Sequence, residues 1–384
     1  MSVTSATTTT SGEHGLKRTI DWRGAFWVAS GVPALVVFSI GGIAGTVGIP
    51  AYAVWIVSML MGFIQSFTYA EIAGLFPNKS GGASVYGAAA WLRYGKFIAP
   101  LSVWCNWIAW TPVLSLGSAI AAGYILNAME HAPTGEAVAA YIAQQAAGGT
   151  VVDEAAAAAA LMPIHNWSLF TIHLGEVVSL SVNWTFFIGA ILMLLAFAIQ
   201  HRGILGTASV QTVVGLVIVI TLLIVGVVPF FNGNFHSENF QPYVPLAAPY
   251  VPDPGAWNIN GWTLVLGGMF IAAWSTYGFE TAVCYTSEFK NPETDTFKAI
   301  FYSGLLCLVL FILVPVTFQG YLGLTGMLDG GVVAGTSIAQ VMGEMVAGGS
   351  AIIVTLFEIL MIAALILIIV TAMAGSSRTL YQGS

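Results

Sequence analysis

The stretch FIAAWSTYGFETAVCYTSEFKNP sets Gly278 and Glu280 inside an otherwise apolar, helix-length segment. A charge at membrane depth costs from about 2.5 kcal/mol upward, so a carboxylate there needs a partner. Glycine can provide one: it interrupts a helix at a cost of about 1 kcal/mol. The helix that restarts after it offers free N–H groups and the positive end of a dipole. Glu280 is therefore expected to stabilise the new helix end, or else to carry a proton or ligate an ammonium group directly. A second interruption, Ala29-Ser30-Gly31-Val32-Pro33, lies in WVASGVPALVVF. Pro33 removes an N–H, which a first helical turn leaves unpaired in any case. The N–H groups near Gly31 and Val32 suit a carboxylate. The free carbonyls at Ala29 and Ser30, and at Trp274 and Ser275, suit an ammonium group. A zwitterion such as an amino acid carries both. Taken singly, each glycine serves equally well for close helix packing and Pro33 for a simple kink. Two interruptions at matching positions are what point to a site lined by residues 29–33 together with Trp274, Ser275, Thr276, Tyr277 and Gly278. Trp274, Tyr277 and Phe279 would either close over a bound side chain or serve as packing and interface anchors.

Two further carboxylates lie at or near membrane depth. Glu358, in TLFEILMIAALIL, has only Thr355 as a local polar neighbour, so protonation or pairing with another span is expected, and it is a proton-coupling candidate. Glu71, a few residues before Lys79, is expected in an inner network or gate together with Arg378 and Glu288. Other chemistry lacks the residues it needs. The 6 histidines never adopt a metal-ligand spacing, so no metal or other cofactor is expected. Apolar span interiors hold no histidine for an intramembrane enzyme, no G-x-x-x-x-G-K-[ST] loop is present for nucleotide-driven pumping, and no repeated segment builds a channel filter. Cys105, Cys284 and Cys307 sit in apolar segments and read as buried thiols.

The elements that must carry these residues are membrane helices. Only 7% of the 384 residues are charged, 57% are hydrophobic, and the mean hydropathy is +0.86. Uncharged stretches long enough to cross about 30 Å of hydrocarbon recur at about 24–46, 50–75, 97–126, 181–200, 207–231, 262–287, 298–323 and 350–375. The fold class is an all-α polytopic membrane protein surrounded by lipid, with no support for a nucleic-acid partner. All 10 basic residues fall on one side of this arrangement, from Lys17, Arg18 and Arg23 through Lys79, Arg93, Lys96, Arg202, Lys290 and Lys298 to Arg378. Under the positive-inside rule that side, with the N-terminus, is cytoplasmic. The Ser/Thr-rich tail within 1–22 is expected to be disordered, 83–95 to lead amphipathically into the third span, and 127–180 to form an outer loop with one short interfacial helix. The Pro-rich outer stretch 232–261 divides a first group of spans, 23–231, from a second, 262–384.

At this point YAEIAGLFPNKSGGASVYGAAAW, FIAAWSTYGFETAVCYTSEFKNPETDTFKAI and AGSSRTLYQGS closely resemble segments of the amino acid/polyamine/organocation permeases. The resemblance implies a five-plus-five inverted-repeat fold with broken helices 1 and 6. It also implies a transporter, not an enzyme, that symports or exchanges amino acids or related amines by alternating access in the cell membrane. Coupling to protons, or to sodium held by helix-end carbonyls and hydroxyls such as Ser376 and Ser377, follows as an expectation. A non-amino-acid solute transporter or a channel of the same fold is the alternative. The sequence departs from the family pattern in stopping after the eighth span, which reads as a truncated second repeat. It also departs at the first break, where the family more often has a second glycine and an aromatic. Some proton-coupled relatives carry a lysine in the fifth helix, whereas SVQTVVGLVIVI has none and Ile218 sits near the expected place.

Overall fold

The computed structural model describes residues 17–29, 34–130, 133–148, 150–175, 178–276 and 278–383. The first expected span is split in two: α1 (Trp22–Ala29) and α2 (Leu35–Val47) flank residues 30–33. There follow α3 (Ala51–Leu75), the short lead-in α4 (Ala83–Trp91) and the long α5 (Ile98–Met129). The segment after α5 holds α6 (Gly135–Ala147), α7 (Glu154–Ala160), α8 (Pro163–Asn166) and an antiparallel hairpin, β1 (Ser168–Leu174) with β2 (Val178–Asn183). The expectation of one short helix between 127 and 180 is thereby corrected. Successive residues of SLFTIHL and VSLSVN pair, Leu174 opposite Val178 and Thr171 opposite Ser181, and Gly175, just after β1, takes a positive φ of 81°.

Spans four and five are α9 (Trp184–His201) and α10 (Ile204–Val227), the latter followed by one turn, α11 (Pro229–Asn232). The sixth span is again split, into α12 (Ile259–Thr276) and a 3-10 helix, Gly278–Glu288. The chain continues through α13 (Pro292–Met327), α14 (Gly330–Val333), α15 (Ile338–Ala347) and α16 (Ala351–Gly383). Among the described residues 6 helices are long and apolar enough to cross a membrane, while Leu35–Val47 and Ile259–Ala273 are shorter apolar pieces. Those two pieces are the unbroken parts of the interrupted spans, which accounts for the expected eight.

Local chemistry explains where the helices begin. Asn183 accepts the Phe186 N–H (3.0 Å) at the start of α9, and Asp329 accepts the N–H groups of Gly331 and Val332 to start α14. Pro292 opens α13 with Glu293 and Asp295 in its first turn, where the dipole favours acids. Packing then sets the order: α16 lies along α5, α13 along α3, and α12 against both α2 and α3. At the centre Trp55 meets Phe311 at 5.5 Å, within a core that also buries Phe318, Tyr285 and Phe289. Residues such as Ile64, Leu101, Ile191 and Phe270 are exposed on the periphery, which is where lipid contacts a membrane helix.

Candidate functional site

The two interrupted spans pack on one another: α1 lies on the 3-10 helix 278–288, and α2 lies on α12. Ala29 is fully buried at the end of α1. Ser30, Gly31, Val32, Pro33 and Tyr277 lie outside the described residues. Trp274, Ser275 and Thr276 complete α12, while Gly278 and Glu280 begin the 3-10 helix. The helix expected to restart after Gly278 is present, wound as a 3-10 helix over Gly278–Glu288.

The last carbonyls of α1 have no N–H of their own helix to bind. One of them, Val28 O, is served from a distance: Thr371 on α16 donates its hydroxyl at 3.3 Å, and Gln211 on α10 donates its amide to Thr371 Oγ1 at 2.6 Å. Gln211 and Thr371 are buried, and Gln211 Oε1 has no hydrogen-bond partner among the described residues. This chain joins the first break to two scaffold helices. Beside it, Phe38, Ser39, Gly117 and Leu365 contribute to a cavity of about 20 Å³ between α2, α5 and α16, large enough for one water. Ser376 and Ser377 bond their own helix, to Met373 O (3.1 Å) and Ala374 O (2.9 Å). Ile218 is buried in the core of α10, and the residue of α10 that reaches α16 is Gln211, two turns earlier.

The end bearing the basic residues is drawn together by a buried ion pair. Arg378 Nε donates to Glu288 Oε1 at 3.1 Å, and the guanidinium lies 5.3 Å from the centre of the Tyr285 ring. The Glu288 carbonyl accepts the N–H groups of Thr19 (2.9 Å) and Ile20 (3.2 Å), and Lys290 N–H returns to Ile20 O at 2.8 Å. The chain before α1 is thus bridged to the chain after the 3-10 helix. Gly81 N–H donates to Cys284 O (3.2 Å), Ser80 and Ser287 share a hydroxyl contact, and Thr379 donates to Asn106 Oδ1 (3.1 Å). Gly81 and Gly82 have φ of 91° and 67°, and a Cβ at Gly82 would stand 2.9 Å from Cys284 Sγ. Only glycine fits that approach. Glu71 is exposed on α3 and takes part in none of the ion pairs among the described residues, so the network closes without it.

At the opposite end, α14 lies on α2 so closely that a Cβ at Gly41 would stand 2.6 Å from Val332 O. The stretch 232–261 lies on the same helix, with Leu246 N–H donating to Val47 O (2.9 Å) and Tyr250 N–H to Gly45 O (2.6 Å). Tyr124 on α5 donates to Gly335 O at 2.8 Å and lies within electrostatic reach of Glu358, two turns into α16. Glu358 is half-buried.

Helix α8 is held to the end of α5 by Glu130, which accepts from the His165 backbone N–H (3.0 Å) and contacts His165 Nδ1 (3.2 Å). The other ring nitrogen lies 2.9 Å from Asn127 Oδ1. Burial works to raise the Glu130 carboxyl, but hydrogen bonds from His165 and from the Ile164 N–H outweigh it and hold the group below its ordinary 4.5. A carboxyl lowered by folding stabilises the fold above its unfolded value and loses that contribution as pH falls toward the folded one. The α8 segment is therefore expected to loosen as pH drops below 4.5. Amide exchange at Ile164 and His165, corrected for intrinsic rates, checks this; an acid step of equal size in Glu130→Gln would remove Glu130 as its cause.

Two interrupted spans packed on one another within a bundle of long apolar helices define an integral, multi-pass membrane protein of the all-α class. The family model described as "Amino acid permease" matches residues 20–384, and the chain belongs to that family. The family is one of small-molecule transporters, which agrees with the reading made from the span-six and span-two segments.

Proposed function

We propose that this protein is a secondary transporter that moves an amino acid or a related small amine across the cell membrane by alternating access, coupled to protons or working as an exchanger. The observation that supports this reading is the packing of α1 on the 3-10 helix 278–288 and of α2 on α12, which sets the two interrupted spans against each other. In this reading the first turn of α2, with Gly31, Val32 and Pro33, receives the substrate carboxylate. The carbonyls of Ala29 and Ser30, and of Trp274 and Ser275, receive its ammonium group, with Thr276, Tyr277 and Gly278 completing the pocket. Residues 23–231 act as the first repeat and 262–384 as the second, with 232–261 as the outer connection. The face carrying the basic residues is the cytoplasmic one, and the Glu288–Arg378 pair (3.1 Å) is the contact that must part when it opens. Glu280 stabilises the second break, Glu358 is the candidate for proton coupling, and Glu71 remains a gating candidate from its exposed position.

Uptake of a panel of radiolabelled amino acids and amines into proteoliposomes, with and without an inward proton gradient, tests the proposal. Saturable uptake of one class, collapsing when the gradient is dissipated, is the result expected for a proton symporter; saturable uptake that needs substrate on the far side indicates exchange. Flux that rises without saturation, or no uptake of any amino acid or amine under any gradient, would overturn it.

A further inference from the structure

At the end of the molecule that carries the basic residues, α9 and α10 diverge around a groove of about 370 Å³. Its walls are Leu195, Ala198 and Ile199 from one helix and Gly206 and Val210 from the other, with Ser209 on the wall and Arg202 at the mouth. The volume falls within the range of about 300–1,000 Å³ typical of ligand sites. Gly206 keeps the groove open: a Cβ there would stand 3.2 Å from Arg202 Cβ. Leu195 and Val210 are exposed, although both lie within spans, so what covers them at that depth is hydrocarbon.

Charge decides which lipid. Arg202 is exposed and has no ion-pair partner among the described residues. A guanidinium at the border of the hydrocarbon is a bidentate donor suited to phosphate. From Arg202 to Leu195 the helix rises about 10 Å, which fits within one leaflet of a core about 30 Å thick. A second cation stands at the same helix end. A Cβ at Gly24 would lie 3.8 Å from Ala208 Cβ of α10, and the neighbouring Arg23 is also exposed.

We infer that the α9–α10 groove is a binding site for an anionic phospholipid of the leaflet on the basic face, its phosphate on Arg202 and one acyl chain along Leu195, Ile199 and Val210. The site is separate from the central break, and its occupancy does not depend on which solute the protein carries. A basic residue near an anionic head group strengthens binding about fivefold.

Native mass spectrometry of the purified full chain, titrated with phosphatidylglycerol or with phosphatidylcholine of the same acyl chains, tests this. Phosphatidylglycerol is expected to be retained at least about fivefold better. Arg202→Gln is expected to abolish the preference while leaving phosphatidylcholine retention unchanged, and Gly206→Leu to weaken both lipids by filling the groove. Both variants must elute as the native protein does. Millimolar glycerol phosphate, a head group without a chain, is expected not to displace the lipid. Equal retention of the two lipids, an unchanged preference in Arg202→Gln, displacement by glycerol phosphate alone, or a lipid-free dimer that disappears in Gly206→Leu would each overturn the assignment.

Discussion

Replacing Arg378 by Gln is expected to open the basic face of this permease and expose Cys284. The Arg378–Glu288 pair is buried, with side-chain exposures of 14% and 5%. Removing one member of such a pair leaves the other as an uncompensated buried charge, at a cost of roughly 3–5 kcal/mol. That cost falls on the conformation in which α16, the 3-10 helix and the segment around Ile20 are drawn together. A conformation in which Glu288 reaches water avoids it, so the equilibrium should move toward opening of the basic face by at least about a hundredfold. Cys284 reports the change directly, because it is buried in the closed form and its carbonyl holds Gly81 (3.2 Å). In a Cys105→Ser background, alkylation of Cys284 by a membrane-permeant maleimide is expected to accelerate at least about tenfold in Arg378→Gln. The double variant Glu288→Gln/Arg378→Gln, which leaves no bare charge, should lie closer to the native rate. Unchanged alkylation in Arg378→Gln would show that the pair does not hold this face closed.

How much of this arrangement can be read from the sequence depends on whether the signal is local. The span positions follow from length and hydropathy, and the splitting of the first and sixth spans follows from Gly31, Pro33 and Gly278, because an interruption shows in its own few residues. The β1–β2 hairpin also carries a local signal, the β-branched residues of TIHL and VSLSV about Gly175, but it is short and adjoins an alanine-rich stretch whose composition suggests only loop and helix. The contacts that close the molecule are another matter. Ile20 meets Phe289 as a parallel bridge, and Arg378 meets Glu288 across 90 residues. Arg378 and Glu288 were expected in one network with Glu71, and the two do pair. Glu71 lies near the basic face too, but the rotation of α3 leaves it exposed, and no spacing within one helix fixes that helix's rotation against its neighbours. Gln211 illustrates the same limit. It is the sole amide of its span, which marks it as unusual, yet its partner Thr371 lies 160 residues away.

That amide underlies the second large effect. Thr371→Val is nearly isosteric but deletes the hydroxyl that both donates to Val28 O and accepts from Gln211. Both groups are buried, and leaving a buried polar group unpaired costs about 1–3 kcal/mol each. The Gln211 side chain already has Oε1 without a partner among the described residues, so the variant strips its remaining hydrogen bond to α16. The loss falls at the end of α1, where the proposed pocket begins. Uptake in proteoliposomes is expected to drop by at least about tenfold in Thr371→Val, while Thr371→Ser, which keeps the hydroxyl, retains most of it. The split between parameters separates a positioning role from simple loss of folded protein: fewer folded molecules lower the maximal rate and leave KM alone. Displacement of the α1 end should instead raise KM for the carried solute as well. A normal KM, with a maximal rate that tracks only the yield of monodisperse protein, would assign Thr371 and Gln211 to the scaffold and leave the first break to be organised by residues 29–33 themselves.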